Sequence, residues 1–162
     1  MKLFLDTNVL VDLYQERHPY YEDVKKLQIM EEFGDAELWV SAKSFTDIYY
    51  VMRRGGCANA DILRGFEASF EFLNICSIDG EDVRNAARLK WLDFEDCLIE
   101  MAARKVKADF LLTRDASGFA QSKIPVKKPH AFLNWVEQEC GLVYGDIDWW
   151  TDEEASPERT DV

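Results

Sequence analysis

The sequence predicts an α/β fold with a mostly parallel central sheet and right-handed crossovers. Short apolar runs of the kind that form strands buried on both faces recur along the chain, and Leu3–Leu5 is the first of them. Longer segments with apolar residues at helical spacing separate these runs. Strands that alternate with helices in this way are typical of βαβ units, which build parallel sheets.

The first strand ends at an aspartate. Asp6 follows Leu5, and apolar residues then recur at helical spacing, so the chain is expected to turn from strand into helix at Asp6–Asn8. This places a carboxylate at the carboxyl end of a central strand, where open α/β sheets bind ligands. The alternative is that Asp6, Thr7 or Asn8 only caps the helix.

The next elements follow in the order helix, strand, helix. Pro19 suits the first turn of a second helix, which extends to about Phe33 and stops at Gly34. Residues 36–40 form a second strand. Ser41 then caps a third helix that ends at Gly55–Gly56.

The middle of the chain predicts a helix, a short strand and a capped helix. Asn59 or Asp61 opens the first helix, and Leu73–Ile78 includes the third strand. Asp79, with Asp82 three residues on, resembles a capping pair at the start of the next helix.

The remaining segments complete the sheet. The stretch from Leu92 to Lys105 opens with acids and closes with bases, as the dipole of a helix favours. Ala108–Thr113 is a fourth strand, and Ile124–Val126 is a short edge strand, where a proline is tolerated. The last helix runs from Pro129 to about Cys140.

Composition indicates one ordinary globular domain. The chain has 162 residues, of which 48% are hydrophobic. No apolar run approaches the length of a transmembrane helix, so we expect no membrane partner. The N-terminus reaches an acid too soon for a signal peptide, which predicts a cytoplasmic protein. The four cysteines are far apart and there are two histidines, which argues against a zinc site or redox pair and fits reduced thiols.

Half of the net charge of −12 lies at the C-terminus. Residues 146–162 hold seven acids and one base, which gives −6, and residues 1–145 carry the other −6. Overall acidity therefore does not exclude a nucleic-acid substrate, although it disfavours tight nonspecific binding. We expect a domain at 1–140 and an acidic tail at 141–162. The tail can be a solvated end or can dock through Trp149 and Trp150 on the basic rim of a site.

Acids recur at equivalent places in the predicted fold. Asp6 ends a strand, Asp96 lies in the first turn of a helix, and Asp115 follows the strand after that helix. These places meet at one edge of a parallel sheet, and Asp47, early in another helix, can face the same edge. Oxygen ligands without histidine are typical of a site for Mg²⁺.

Each acid also has a structural alternative. Asp93 can be a helix cap with Asp96 as its third helical residue. Asp47 can pair with Lys43 one helical turn away. Asp115 can be a turn residue. The functional interpretation depends on several acids sharing one edge.

Five segments resemble the PIN-domain nucleases, a family that includes the VapC-type toxins. Their order and spacing agree over about residues 2–136. The segments are Leu5–Asp12, Ser41–Tyr50, Asp93–Leu98, Ala108–Asp115 and Ile124–Val126. The resemblance implies a three-layer α/β/α sandwich with a parallel sheet of four or five strands. It also implies cleavage of RNA by a water that Mg²⁺ or Mn²⁺ activates, an antitoxin partner in the case of a toxin, and a homodimer.

The resemblance assigns roles to matching residues. It makes Asp6 and Asp96 the principal metal ligands and Asp115 the fourth acid. Asp93 falls on the first acid of its motif and would add a contact through water. The polar residues that orient the site would be Asn8 and Thr113. The chain departs from the family pattern at Asp47, where many members have glutamate, so metal contact there would pass through water.

The sequence also leaves three alternative functions open. A phosphotransferase of the haloacid-dehalogenase kind also begins with a strand that ends in Asp, but it needs a second Asp where this chain has Asn8. A phosphoacceptor receiver domain needs an acidic pair near the first strand, and Asp6 has no adjacent acid. A PIN fold without catalysis would be an RNA-binding or interaction module, against which the intact set of acids argues.

Overall fold

The computed structural model describes residues 1–145, and parallel strands with helices between them account for most of this range. The strands are β1 (Lys2–Leu5), β2 (Glu37–Ser41), β3 (Leu73–Cys76), β4 (Phe110–Leu112) and β5 (Val126–Lys127). The helices are α1 (Thr7–Tyr14), α2 (Tyr20–Glu32), α3 (Ala42–Arg54), α4 (Asn59–Ser69), α5 (Gly80–Leu89), α6 (Phe94–Lys105) and α7 (Pro129–Cys140). Within the described part of the chain the strands form one sheet in the order β3-β2-β1-β4-β5, with every pairing parallel.

The register brings the carboxyl ends of the central strands level. Leu5 of β1 pairs with Val40 of β2 on one side and with Leu112 of β4 on the other. The residues that follow these three are therefore neighbours at one edge of the sheet, as the sequence predicted for Asp6.

Helices cover both faces of the sheet, which confirms the three-layer α/β/α sandwich. Side chains alternate across a strand, so Leu3 and Leu5 pack in one core and Phe4 in another. The first core contains buried residues of α1, α2, α3, α4 and α7. The second core contains residues of α6, together with Phe119 and Ile124 from the segment between β4 and β5.

The bounds of β4 and β5, the last two strands in the sheet order, differ from the prediction. The edge strand β5 is Val126–Lys127 instead of Ile124–Val126. Pro125 has no N–H, so it joins the sheet only through its carbonyl. This carbonyl accepts a hydrogen bond from Leu111 N (3.0 Å). The regular part of β4 is shorter than predicted. Its flanking amides still bond the neighbouring strands, since Thr113 N donates to the Lys127 carbonyl (3.0 Å).

Polar caps confirm several predicted helix starts. Asp79 and Asp82 form the predicted capping box of α5, with each side chain bonded to the backbone of the other residue. Ser41 is the last residue of β2 and also caps α3, since its Oγ accepts a hydrogen bond from Lys43 N (3.2 Å).

The end of the described chain packs against the domain. Tyr144 is partly buried against the larger core, and its hydroxyl donates to Oδ2 of Asp35 (2.7 Å). Residues after α7 therefore contact the packed domain, and the domain boundary at residue 140 stays a prediction. The predicted acidic tail at 146–162, with Trp149 and Trp150, lies outside the described residues.

Two expectations from composition can be compared with the structure. Cys57, Cys76, Cys97 and Cys140 are free cysteines in the structure. None of the helices between residues 1 and 145 has both the length and the apolar character needed to cross a lipid bilayer.

Candidate active site

The site begins where β1 and β4 end side by side. Asp6 follows β1 and Thr113 follows β4, and the shared register puts the two residues at the same level. The Asp6 amide donates to the carbonyl of Leu112 (2.9 Å), which extends the sheet by one residue. The Thr113 hydroxyl then donates to Oδ2 of Asp6 (2.7 Å). Two adjacent strands therefore hold one carboxylate.

Asp6 is buried and accepts further hydrogen bonds from α1. Only 6% of the residue is exposed. Its Oδ1 accepts from Thr7 N (2.6 Å), so the predicted capping role is real, and its Oδ2 accepts from Nδ2 of Asn8 (2.6 Å). Asn8 Nδ2 also lies 3.0 Å from the Thr113 hydroxyl oxygen. The two predicted supporting residues, Asn8 and Thr113, thus both fix the orientation of Asp6.

Asp96 comes to the same edge from α6. Asp93 caps this helix, since its Oδ1 accepts from Glu95 N (2.7 Å) and Asp96 N (3.2 Å). The cap leaves Asp96 in the first helical turn, as the sequence predicted. The carboxylate of Asp96 lies directly against Gly118, in the loop after β4.

Asp115 begins the turn after β4. Its amide donates to the Thr113 hydroxyl oxygen (3.0 Å), and its Oδ1 accepts from Ser117 N (3.0 Å) and from the Ser117 hydroxyl. Asp115 is therefore a turn residue, as the structural alternative predicted. The same turn also keeps it close enough to Asp6 and Asp96 for its charge to affect both.

The electrostatics indicate that these acids repel each other. Burial raises the pKa of Asp6 to about 6, against hydrogen bonds from Thr113 and Thr7 that lower it. Burial also raises the pKa of Asp96 to about 6, and further increases come from the charges of Asp6, Asp93, Glu95 and Asp115. A cation bound among these carboxylates would reduce the repulsion between them.

Asp115 behaves differently because it is better solvated and hydrogen-bonded. The Ser117 hydroxyl and amide hold the pKa of Asp115 below its usual value. Asp115 therefore supplies a negative charge at acidic pH, where Asp6 and Asp96 are partly protonated.

Asp47 forms an ion pair with a lysine, whereas the sequence predicted that it would face the same edge as the other acids. Lys43 Nζ lies 2.5 Å from Oδ2 of Asp47 and 2.9 Å from Oε1 of Glu95. Burial lowers the pKa of Lys43, but the hydrogen bonds to these two acids outweigh burial and raise it. Lys43 thus joins α3 to the start of α6, and the predicted alternative pairing of Asp47 is present.

The donor chemistry of the site fits a hard divalent cation. Asp6, Asp96 and Asp115 supply only oxygen atoms, which Mg²⁺ and Mn²⁺ prefer. Within residues 1–145, however, no three His, Cys, Asp or Glu side chains lie close enough together to form a ready-made ion site. The shared metal position therefore stays a prediction.

An open depression of about 290 Å³ gives access to the acids. Asp6, Asn8, Glu95 and Asp96 contribute to its lining, together with two arginines, Arg17 and Arg114. A larger depression of about 460 Å³ lies elsewhere, between α2 and the segment before β3. It contains none of the acids at the strand ends, so we place the functional site at the smaller one.

Sequence reasoning missed two features of this site. Glu95 lines the depression and binds Lys43, but the sequence did not distinguish it from the other acids of its motif. Asp12, an acid within the apolar face of α1, is paired with Arg114. Its place among apolar residues was a signal that could have indicated a buried charge.

Comparison with known proteins identifies similar chains. The chain is 27% identical over 127 residues to Ribonuclease VapC1 of Aquifex aeolicus (strain VF5), an alignment that covers 74% of this chain and 85% of that protein. A toxin-antitoxin complex from Klebsiella pneumoniae contains a chain with a similar fold, at a TM-score of 0.56 and 23% identity, with 78% of this chain and 97% of that chain covered.

A third similar protein is VapC20 of Mycobacterium tuberculosis, described as a toxin that cleaves the sarcin-ricin loop. Its TM-score is 0.58 at 13% identity, and the match covers 74% of this chain and 94% of that chain. The family profile of the PIN domain matches residues 2–117, which include all of the predicted site residues. The chain therefore belongs to the PIN domain family.

Proposed function

We propose that the protein is an endoribonuclease that hydrolyses phosphodiester bonds of RNA with the help of Mg²⁺ or Mn²⁺. The observation that carries the proposal is the convergence of Asp6 and Asp96 at one sheet edge, where burial raises the pKa of each and the charge of Asp6 further raises that of Asp96. A relative with 27% identity is a ribonuclease, which supports RNA as the substrate.

In this proposal Asp6, Asp96 and Asp115 hold the ion, and Asp93 and Asp47 contribute through water. When bound there, the ion would activate a water and neutralise charge that builds on the phosphate. The chain itself contributes orientation. Thr113 and Asn8 fix both rotation and position of the Asp6 carboxylate through their hydrogen bonds.

We further propose that the protein is a toxin with an antitoxin partner. One of the proteins of similar fold comes from a toxin-antitoxin complex, which supports such a pairing. A homodimer, which the family resemblance implies, and a cytoplasmic location are part of the same proposal.

The test is cleavage of several RNAs by protein that is free of contaminating nuclease. Activity should require Mg²⁺ or Mn²⁺ and should disappear with EDTA. Asp6→Asn and Asp96→Asn should each lower the cleavage rate by about a hundredfold or more, because each removes a charge from the ion site. Asp61→Asn is the matched control, since Asp61 pairs with Arg64 on α4 and has no contact with the site.

The competing function is an RNA-binding or interaction module without catalysis. RNA binding that needs neither added metal nor the two carboxylates, together with no cleavage under any metal condition, would favour it. Equal cleavage by wild type, Asp6→Asn and Asp96→Asn would reject the assignment of the site.

A further inference from the structure

A buried acid of α1 holds an arginine at the edge of the site. Asp12 is 1% exposed, and its Oδ2 lies 3.1 Å from Nε of Arg114. Neither carboxylate oxygen of Asp12 has a hydrogen-bond partner within residues 1–145. A buried carboxylate is unfavourable unless a counter-charge lies beside it. Arg114 is therefore the direct counter-ion of Asp12, and Arg17 adds a weaker favourable charge.

Two further contacts restrict the position of Arg114. Its guanidinium carbon lies 4.8 Å from the centre of the Tyr20 ring, a cation–π contact. Its backbone amide donates to Oδ1 of Asn8 (3.1 Å), and Asn8 in turn binds Asp6. The arginine is thus fixed relative to the carboxylate at the centre of the site.

The outer part of the guanidinium is free for another partner. Nε is the nitrogen paired with Asp12, and within the described range the side chain of Arg114 makes no hydrogen bond. The side chain is 30% exposed and lines the depression that contains Asp6 and Asp96. Its two terminal nitrogens carry four N–H donors in a plane, an arrangement that matches the oxygens of a phosphate.

We propose that Arg114 binds a backbone phosphate of the RNA beside the acids, and that Asp12 is the positioning residue that keeps the guanidinium there. The inference rests on RNA being the substrate of this site. The acids repel a phosphodiester backbone, and a cation on the open side of the depression reduces this repulsion. An arginine that is already held loses less conformational freedom on binding than a mobile surface side chain.

The test measures binding of a short fluorescein-labelled single-stranded RNA by anisotropy, in an Asp6→Asn background so that the RNA stays intact. Arg114→Gln should weaken binding about tenfold, as expected for one charged hydrogen-bonded contact. The slope of log affinity against log salt should fall by about 0.7, the value for one lost phosphate contact with a single strand. Arg64→Gln, which removes an exposed arginine of α4, is the matched control and should leave both quantities unchanged.

A double variant separates phosphate binding from neutralisation of Asp12. Asp12→Asn combined with Arg114→Gln removes both charges, so no buried carboxylate is left without a partner. If Arg114 serves only Asp12, this double variant should bind RNA as the background protein does, and the proposal would be overturned. We expect instead that it binds as weakly as Arg114→Gln alone.

The positioning role of Asp12 makes a related prediction. Asp12→Asn alone should weaken binding, but it should have no further effect once Arg114 is Gln. Arg114→Lys should recover part of the affinity, because it keeps the charge and loses the planar fork. Additive effects of Asp12→Asn and Arg114→Gln would contradict this role. Because binding is measured without cleavage, dependence on Arg114 can hold even where the nuclease assays find no activity, and the two proposals can fail separately.

Discussion

An ideal Cβ on Gly118 would lie 2.9 Å from Cγ of Asp96, and closer still to one of its oxygens. The loop after β4 can therefore lie against the Asp96 carboxylate in this position because residue 118 has no side chain. Through this contact the loop that begins at Asp115 and the helix that carries Asp96 are held at one edge of the sheet.

Gly118→Ala should displace Asp96 without changing any charge. The added methyl group must move either the Asp96 carboxylate or the loop, and such overpacking destabilises a protein by about 1–3 kcal/mol. We expect a lower unfolding midpoint in urea and a loss of RNA cleavage of at least tenfold.

Gly80→Ala is the matched control for Gly118→Ala. The nearest atom to a Cβ at Gly80 is Nη1 of Arg84 at 3.7 Å, an ordinary contact. This variant should keep both stability and cleavage. A Gly118→Ala protein as active and stable as Gly80→Ala would show that the close contact with Asp96 has no consequence.

Asp96 should make metal-free protein less stable at neutral pH. Its pKa is about 6 in the folded state against an ordinary value of 3.8, so between these values the folded state binds more protons than the unfolded state. The free energy of unfolding should then rise as the pH falls from about 7 to 4. Asp96→Asn should raise it by about 1 kcal/mol at pH 7, because solvent screens part of the repulsion, and should have no effect below pH 3.8.

Asp79 provides a control of opposite sign. Hydrogen bonds from the amide of Asp82 and from Lys105 hold the pKa of Asp79 below its usual value, so its ionised form stabilises the fold. Urea unfolding in EDTA should therefore show that Asp79→Asn is less stable than wild type at pH 7. If Asp96→Asn is destabilised as well, the repulsion assigned to Asp96 is wrong.

Lys43 should weaken metal binding, because it places a positive charge between Asp47 and Glu95 beside the site. Lys43→Met removes that charge and keeps most of the side-chain volume, so Mn²⁺ should bind about threefold to tenfold more tightly in calorimetric titration. Lys105→Met is the control, since Lys105 also joins two acids, Asp79 and Asp82, but at the other end of α6. Equal Mn²⁺ affinity in wild type and Lys43→Met would contradict the prediction.

The sequence predicted those parts of the site that depend on strand ends and helix starts. Asp6 and Thr113 come together because their strands are neighbours with aligned carboxyl ends, which is a property of parallel sheets. Asp93 and Asp96 followed from helix capping, and the pairing of Lys43 with Asp47 followed from helical spacing.

The remaining contacts depend on packing between elements that are distant in sequence. Asp12 and Arg114 are paired across α1 and the end of β4, and no local pattern specifies that distance. The approach of Gly118 to Asp96 likewise depends on how the loop after β4 settles on α6. The ion pair of the exposed Glu95 with Lys43 of α3 is also decided by this packing.

The last prediction concerns the acidic segment 146–162. The chain enters this segment from Tyr144, whose hydroxyl binds Asp35 just before β2, at the sheet edge opposite Asp6. Deletion of the segment removes a net charge of −6, so the protein should bind RNA more tightly at low salt, and the gain should shrink as salt screens the charges. A gain of this kind arises from charge alone.

Docking through Trp149 and Trp150 is tested by a full-length variant that keeps every charge and has both tryptophans changed to Ser. If the segment docks, this variant should bind RNA more tightly than wild type. From the position of Tyr144 we expect this variant to bind RNA as wild type does, in anisotropy titrations at two salt concentrations, and tighter binding would show that the segment competes with RNA through its tryptophans.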